Sequence, residues 1–581
     1  MPLPPALILQ SPAGLIHLTP VDTLILVIYV VMVVFIGFYV KDSATTGEEF
    51  FLAGRKMTAW IAGLSFLSAN LGSLELMGWA GASYQYGILA AHWYWIGAIP
   101  AMLFLGIVMM PFYYISKTHS VPGYLQLRFG EGARGLSAAC FVFMTILMSG
   151  VNMYAMAVVM QTVLGWDQTF SIWVGAAIVT LYVMLGGLRS AIINEVLQFV
   201  LIWAGAALIP ILGLIEAGGW TNLKIQIANN VHTTAYTHLW STLGTFKGNP
   251  MGIHWTGIVF GLAAILSFGY WTTDFLVVQR VLSANNLRAA RMAPIIGAAF
   301  KMFVPFIVIL PGLLAIALLH NPDGSVMHLV PAEVAKLTGQ HSYDEVLPLM
   351  LLRYCGPGLL GLGITALVAG FMSGMAGNVS AFSTVWTYDL YRAYINKKAS
   401  DSHYVSMGRW STLFGMLISV GTAYLVAHAA SIMDYVQALF SFFIAPLFGT
   451  VILGMLWKRA TKAGGFLGLL AGTGSSIAMW VYTSFGTAEH KAAALARIAL
   501  SRDAQPMAEN MYRALWSWLA CVLVTVAVSF MTTPRPESEL QGLVYGATAI
   551  PSDEAVPLWQ RPIFWAGIVA AALVLINIVL W

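Results

Sequence analysis

Apolar runs long enough to cross a bilayer, about 20 residues each, recur along almost the whole chain and are separated by short polar turns. Fourteen stand out by pattern, at 21–40, 58–88, 92–116, 135–163, 168–186, 190–215, 252–279, 293–319, 353–388, 406–427, 434–456, 463–484, 514–531 and 563–581. They predict an all-α integral membrane protein of about 14 transmembrane helices. The run from Tyr354 to Tyr388 has no charged residue and exceeds one straight crossing, which predicts a tilted helix or an added flanking turn.

Charge in the turns sets an orientation. With the amino terminus outside, nineteen Lys and Arg fall in inner loops, among them Lys41, Lys117, Arg128, Arg280, Arg392 and Lys458, against eight in outer loops. That excess predicts both termini outside. The longest outer segments are 217–251, 320–345 and 485–512, and in the third EHKAAALARIALSRD has helical spacing of its apolar residues, as a solvated surface helix or a lid would.

Composition agrees with the pattern. The chain is 59% hydrophobic and 9% charged with a mean hydropathy of +0.79, where soluble domains run roughly 45–50% apolar and about 25% charged. No polar stretch is long enough for a separate soluble domain, and the net charge of +4 is scattered, so no nucleic-acid partner is expected. Cys140, Cys355 and Cys521 lie far apart in or beside apolar segments, as small core residues do, and form no disulfide or metal framework. The amino end, MPLPPALILQSPAG, lacks the basic region of a cleaved leader.

Two runs are interrupted in a way that points to function. Asn70-Leu71-Gly72-Ser73, with Glu75 close behind, breaks the second span; Ser267-Phe268-Gly269-Tyr270, followed by Trp271 and Asp274, breaks the seventh. Hydrocarbon satisfies neither a loosened backbone nor a carboxylate, so such breaks belong where protein encloses a pathway. They lie five spans apart, the spacing of a five-helix unit repeated in inverted orientation with its broken helices meeting at the midplane. The same small residues would also serve close helix approach.

The residues around the breaks resemble the sodium/solute symporter family, which includes bacterial galactose and animal glucose cotransporters. The resemblance is carried by EEFFLAGR at 48–55, Trp60, SANLGS, Gly78, Gly81, Tyr84 and Gly87, then by YVMLGGLRSAIINEVLQ at 182–198, VVQRVLSA at 277–284, FKMFVPFIVILPG at 300–312, TYDLYRAY at 387–394 and LGMLWKR at 453–459. It implies a leucine-transporter-type 5+5 inverted-repeat core with one helix before it and three after. The divisions are then 1–57 (tail, first helix and inner loop), 58–216 (first repeat), 217–251 (outer loop), 252–457 (second repeat) and 458–581 (terminal helices). Sodium is the implied coupling ion, held by Ser68, Leu71, Gly370 and Ser373, while Gly374 stands where the family has a further hydroxyl. A second family cation site matches Glu195, but its hydroxyl positions are Ala376 and Gly377, so Glu195 is expected either on a cation exit path or solvated at the inner surface.

For the solute, Lys301 and Gln437 match polar positions of the family's sugar site, and Tyr270 and Trp271 its aromatic pair. Glu75, Ser267 and Tyr94 depart from it, and Gly97 lacks the family's hydroxyl. An ion pair with Lys301, or protonation, would meet the cost of burying Glu75; Lys301 could instead snorkel to the inner interface, and Trp93, Tyr94 and Trp95 could form an interfacial belt or line the rim of the pocket. Asp274 is expected to cap the inner half of its broken helix. Together these residues imply an alternating-access symporter of the plasma membrane that couples downhill sodium entry to uptake of a small polar solute, a sugar or polyol first and an amino acid, carboxylate or nucleoside second. Its partners are then the solute, sodium and the lipid bilayer, with no cofactor and no obligate protein partner. Without a GxxxxGK[ST] loop no nucleotide is implied. An intramembrane enzyme would need a nucleophile or a metal cluster at depth, yet the histidines lie mostly in or beside loops, with no HExxH; a nutrient sensor on the same scaffold would usually carry a signalling domain.

Overall fold

A computed structural model describes residues 18–40, 46–321, 323–426, 431–551 and 556–581. The amino-terminal tail read above and Lys41 lie outside the described residues. Within them the chain is helical, with isolated bridges in place of strands. Nine helices are long and apolar enough to cross a membrane, or eleven if each of two bent pairs is one span.

The helical run Gln168–Ala217 covers 50 residues, which as one straight helix would reach about 75 Å at 1.5 Å per residue, more than twice the roughly 30 Å of hydrocarbon. It is interrupted at Gly187, whose φ of 55° and ψ of −148° leave the helical region. That glycine is required twice over: its φ is left-handed, and a Cβ there would sit 2.6 Å from the Phe50 carbonyl oxygen. The break falls where sequence pattern divides 168–186 from 190–215. Two further segments fall outside the strict criterion: Ala59–Asn70 with Ser73–Tyr86, which is cut in half, and the 26-residue Asp401–Val426, which opens on a polar turn. The uncharged run from Tyr354 splits at Gly356-Pro357-Gly358, and its helix then continues from Leu359 to Ile395.

Burial orders these helices from centre to rim. Leu359–Ile395 is the most enclosed, with 89% of its most apolar window buried, whereas Pro20–Val40 and Pro562–Val579 each bury 22% and present apolar residues outward, as a lipid-facing helix does. The central helix packs against Gln168–Ala206, Glu131–Leu164 and both halves of the first broken helix. Pro20–Val40 is pinned to it by Asp22, whose carboxylate accepts from the backbone N–H groups of Gly358 and Gly361 at 2.7 Å each. A carboxylate at a helix start meets orphan donors and a favourable dipole together.

Two cations expected in inner loops are instead fully buried, Arg128 and Arg280. Arg128 donates to the carbonyls of Gly454 (2.8 Å) and Trp457 (3.0 Å), closing the carboxyl end of Ile432–Leu456, which would otherwise leave those acceptors unpaired. The outer segment 485–512 does form a helix, Ala488–Ile498, which buries Ala494 and Ile498 and leaves the rest of its length at the surface.

Close approach of the half-helix Ser73–Tyr86 to Leu310–Leu318 depends on Gly312. A Cβ there would lie 1.9 Å from Ser83 Oγ and 2.3 Å from the Ala80 carbonyl oxygen. Gly312→Val is therefore expected to cost more than the roughly 1–3 kcal/mol of ordinary overpacking, read as loss of monodisperse protein in detergent. Unchanged yield and melting temperature would refute this packing.

Candidate functional site

The first broken helix begins conventionally, with Thr58 Oγ1 accepting from Ile61 N–H, and stops at Leu71-Gly72. Gly72 is extended (φ −71°, ψ 173°), and a new helix starts at Ser73. Asn152, from the neighbouring span, stands at the gap: its Oδ1 faces Leu74 N–H at 3.3 Å, and its carbonyl accepts from Ser73 Oγ at 3.0 Å. Both glycines at this level face the same amide, since a Cβ on Gly72 would lie 2.7 Å from Asn152 Oδ1 and one on Gly374 3.0 Å from it. The space that a side chain at 374 would enter is therefore occupied by Asn152.

Ser68, Leu71, Gly370 and Ser373 meet on the other side of the break. Ser373 Oγ donates to the Ser68 carbonyl at 2.8 Å, the two hydroxyls lie 3.1 Å apart, and the Leu71 carbonyl oxygen is 3.1 Å from where a Gly370 Cβ would be. All four residues are buried. They offer neutral oxygens from a loosened helix end and a hydroxyl, a donor set suited to a hard monovalent cation.

The second break lies at Asp274, between Gly257–Thr273 and Phe275–Leu282, which are bent by 50°; Ser267-Phe268-Gly269-Tyr270, expected to form it, stays helical, and Gly269 serves close packing instead, since a Cβ there would lie 2.6 Å from Ile444. Asp274 caps the second half, Phe275–Leu282, its carboxylate accepting from Leu276 N–H at 2.9 Å. The two broken helices are joined by Asn70 Nδ2, which donates to Tyr270 Oη at 2.9 Å.

Glu75, Tyr94, Ser267, Tyr270, Trp271, Lys301 and Gln437 all line one cavity between these breaks. Its charge is settled internally. Lys301 Nζ lies 2.7 Å from Glu75 Oε1, which also accepts from Tyr94 Oη at 2.7 Å, while Trp79 Nε1 donates to Oε2 at 3.1 Å. The ammonium also donates to Asn70 Oδ1 and sits 4.7 Å and 5.1 Å from the ring centroids of Tyr94 and Trp271. Lys301 is the last residue before a 46° bend into Val304–Leu318, and with 1% exposure it does not snorkel. Trp93, Tyr94 and Trp95 are likewise buried and form no interfacial belt; Trp95 donates to the Met302 carbonyl. Gly97 leaves room for Ser267, because a Cβ there would lie 2.3 Å from Ser267 Oγ.

Two polar groups of the lining are buried without a partner: the Gln437 Oε1 acceptor and the Trp93 Nε1 donor. Buried groups of this kind usually find one. The open space measures about 70 Å³, room for a few waters and well below the roughly 300–1,000 Å³ of ordinary ligand pockets.

Glu195 is not at the inner surface. It is fully buried, 2.6 Å from Arg280 and bonded by Ser65 Oγ, and Ser65 sits one helical turn before Ser68. It lines no part of the cavity. Arg280 also donates to the Leu276 carbonyl and to Ser380 Oγ, so with Ser65 the pair ties four helices together.

Sequence reasoning missed Asn152, Trp79 and the commitment of Arg280. Trp79 was accessible in principle, lying four residues after Glu75 on the same helix face, and Asn152 stands out as an amide inside an apolar run.

Comparison with known proteins bears out the resemblance. The family model described as the sodium:solute symporter family matches residues 50–472. Sodium/glucose cotransporter 4 of Danio rerio is 29% identical over 561 residues, covering 93% of this chain and 83% of that protein. Sodium/glucose cotransporter 1 of Ovis aries is 30% identical over 475 residues, covering 78% and 70%. The solved structure of a Na⁺-coupled sialic acid symporter, substrate-bound and outward-open, shares the fold with a TM-score of 0.68 at 17% identity, covering 89% of this chain and 99% of that chain.

Removing one partner of a buried ion pair leaves the other charge uncompensated, at about 3–5 kcal/mol. Glu75→Gln and Lys301→Met are each expected to lower the melting temperature by that measure, and the double variant to recover most of it. A double variant no more stable than either single one would show that the two charges are not coupled.

Proposed function

The chain belongs to the sodium:solute symporter family, and from that premise we propose that it carries a neutral polyhydroxylated solute, a sugar or polyol, inward with sodium by alternating access. The proposal includes fourteen crossings with both termini outside, arranged as one helix, two inverted five-helix repeats at 58–216 and 252–457, and three terminal helices. Breaking Gln168–Ala217 at Gly187, and counting the two bent pairs, the halves around Leu71-Gly72 and Asp401–Val426 as one span each, supports that number.

One observation carries the solute class: the charged groups of the cavity are already paired, whereas the buried lining groups left without a partner among the described residues are a neutral amide oxygen and an indole N–H. A hydroxyl both donates and accepts, so one hydroxylated solute can meet the Gln437 acceptor and the Trp93 donor at once. A zwitterion or carboxylate would have to pull Glu75 from Lys301 before gaining anything. The names of the sodium/glucose cotransporters among the relatives support the same class.

In this reading sodium enters between the oxygens of Ser68, Leu71, Gly370 and Ser373, exchanging the Ser373–Ser68 hydrogen bond for ion contacts. Neutral ligands leave the ion its charge, so the site stays weak enough to release it inward. Solute packs against Tyr270 and Trp271, with Glu75, Tyr94, Ser267 and Lys301 around it. The small cavity must widen, and the Tyr270 ring, tilted against Phe440 with centroids 5.0 Å apart, is the element whose movement opens it. Because sodium orders the same helix break that carries Asn70, each ligand raises the affinity for the other by an equal factor, typically about 5–150-fold.

Ser373→Ala removes one oxygen from the ion and is expected to raise the sodium concentration for half-maximal uptake into proteoliposomes about tenfold or more. An unchanged sodium dependence would exclude this ion site. Gln437→Ala should weaken the transported polyol about 2- to 10-fold, measured by competition in a screen of sugars, polyols, amino acids and carboxylates. A screen in which only charged solutes compete would overturn the neutral class.

A further inference from the structure

A second cavity, of about 510 Å³, opens far from the central one, where three membrane spans end together. The segment after Trp93–Ile115 supplies Lys117 and His119, the start of Glu131–Leu164 supplies Glu131 and Arg134, and the end of Leu359–Ile395 supplies Asp389, Arg392 and Lys397. All three ends lie on the face that the Lys and Arg excess assigns to the inside.

The charges of this cavity divide into two sets. Arg134 is committed to the wall: its Nε lies 3.0 Å from Asp389, it lies 3.6 Å from Glu131, and it donates to the Tyr388 carbonyl. Asp389 is further held by the Ser120 hydroxyl. Lys117, Arg392 and Lys397 line the same space, and none of them has a carboxylate within 4 Å among the described residues. Arg392 is aimed without being neutralised, its guanidinium carbon 5.6 Å and 5.2 Å from the ring centroids of Tyr388 and Tyr404. His119 stacks on Tyr388 at 4.7 Å, and burial followed by the Arg55 charge holds its imidazole below the usual value, so the positive charge here comes from Lys and Arg.

Beside these cations the rim is apolar and open. Leu127 lines the cavity at 41% exposure, and Tyr394 and Ile395, at the end of the span that supplies Arg392, are 51% and 66% exposed. A soluble phosphate would use only the cations. A phospholipid would use both surfaces, the phosphate against the cations and the chain along the rim.

We propose that this cavity binds the phosphate headgroup of an anionic phospholipid of the inner leaflet, held by Lys117, Arg392 and Lys397, with its acyl chain along Leu127, Tyr394 and Ile395. Basic pockets between spans on the inner face suit such headgroups. The site is separate from the transport cavity, yet it grips the inner end of the helix that carries Gly370 and Ser373.

The test is thermal unfolding of the full chain in detergent, titrated with dioctanoyl phosphatidylglycerol, dioctanoyl phosphatidylcholine or inorganic phosphate. Phosphatidylglycerol is expected to raise the melting temperature saturably, at a half-effective concentration about tenfold or more below that of phosphatidylcholine. Lys117→Gln with Lys397→Gln should weaken that response about tenfold or more, while Lys458→Gln with Arg459→Gln, which removes equal charge elsewhere on the face, should leave it unchanged. Lys397→Gln alone, at an exposed side chain, reports the same loss at smaller amplitude if the double variant does not fold. Equal responses to the two lipids, equal losses in the two double variants, or protection by inorganic phosphate as strong as by phosphatidylglycerol would each overturn the assignment.

Discussion

A helix that stops inside hydrocarbon leaves backbone donors and acceptors that only protein can satisfy, and the centre of this molecule is organised around that constraint. At Leu71-Gly72 the loosened ends face Asn152 on one side and Ser373 on the other; at Asp274 the chain supplies its own cap. Because those partners come from Glu131–Leu164 and Leu359–Val385, these helices must lie in the interior. The enclosure of Leu359–Ile395 is therefore a consequence of the break it serves, and helices with no such duty, such as Pro20–Val40, lie at the rim.

Charge at the same depth obeys a stricter version of this rule. Glu75 and Lys301 are each costly in a dry setting, and the structure surrounds them with every donor and acceptor within reach: Tyr94, Trp79 and Asn70 close the remaining valences. Glu195 and Arg280 repeat the solution one turn further in. Both pairs tie separate helices together, and both lie on or against the first broken helix. Movement of that helix must carry or break a buried ion pair, which favours a few discrete arrangements over continuous drift.

Much of this was legible in the chain. Apolar runs located the long helices, closely at Pro20–Val40 and Lys462–Ser484 and less so at Pro506–Met531, whose first turns are polar, because hydrocarbon imposes a length on them; Gly72 marked the first break, whereas the second lies at Asp274, beyond the glycine expected to form it. The seven solute-site residues share one cavity, although what each does to a solute rests on the proposal. What pattern could not deliver was pairing across the fold. Arg280 reads as a loop cation until Glu195 is placed beside it, 85 residues away in sequence. Gly374 reads as a lost hydroxyl until Asn152 is found in the space. Trp93 reads equally as an interfacial aromatic or a pocket wall until its burial is known. In each case the sequence carries the residue's chemistry, while its meaning depends on a distant neighbour that no local window contains.

The position of Asn70 connects the two proposed sites. Its carboxamide oxygen accepts from Lys301, its nitrogen donates to Tyr270, and its backbone carbonyl accepts from Gly72 N–H inside the break. Ser68 and Leu71, proposed for the ion, are its near neighbours in the chain, and Lys301 and Tyr270 are proposed for the solute. An ion that fixes the carbonyls of Ser68 and Leu71 therefore fixes the backbone from which Asn70 projects, and with it the angle at which Asn70 meets both solute-side partners. Without the ion that backbone is held by a few neutral hydrogen bonds, each worth about 0.5–1.5 kcal/mol, so the cavity can be reshaped at little cost. Coupling of this kind needs no long pathway: it requires that the ion and the solute depend on one interrupted turn, and here a single asparagine spans it.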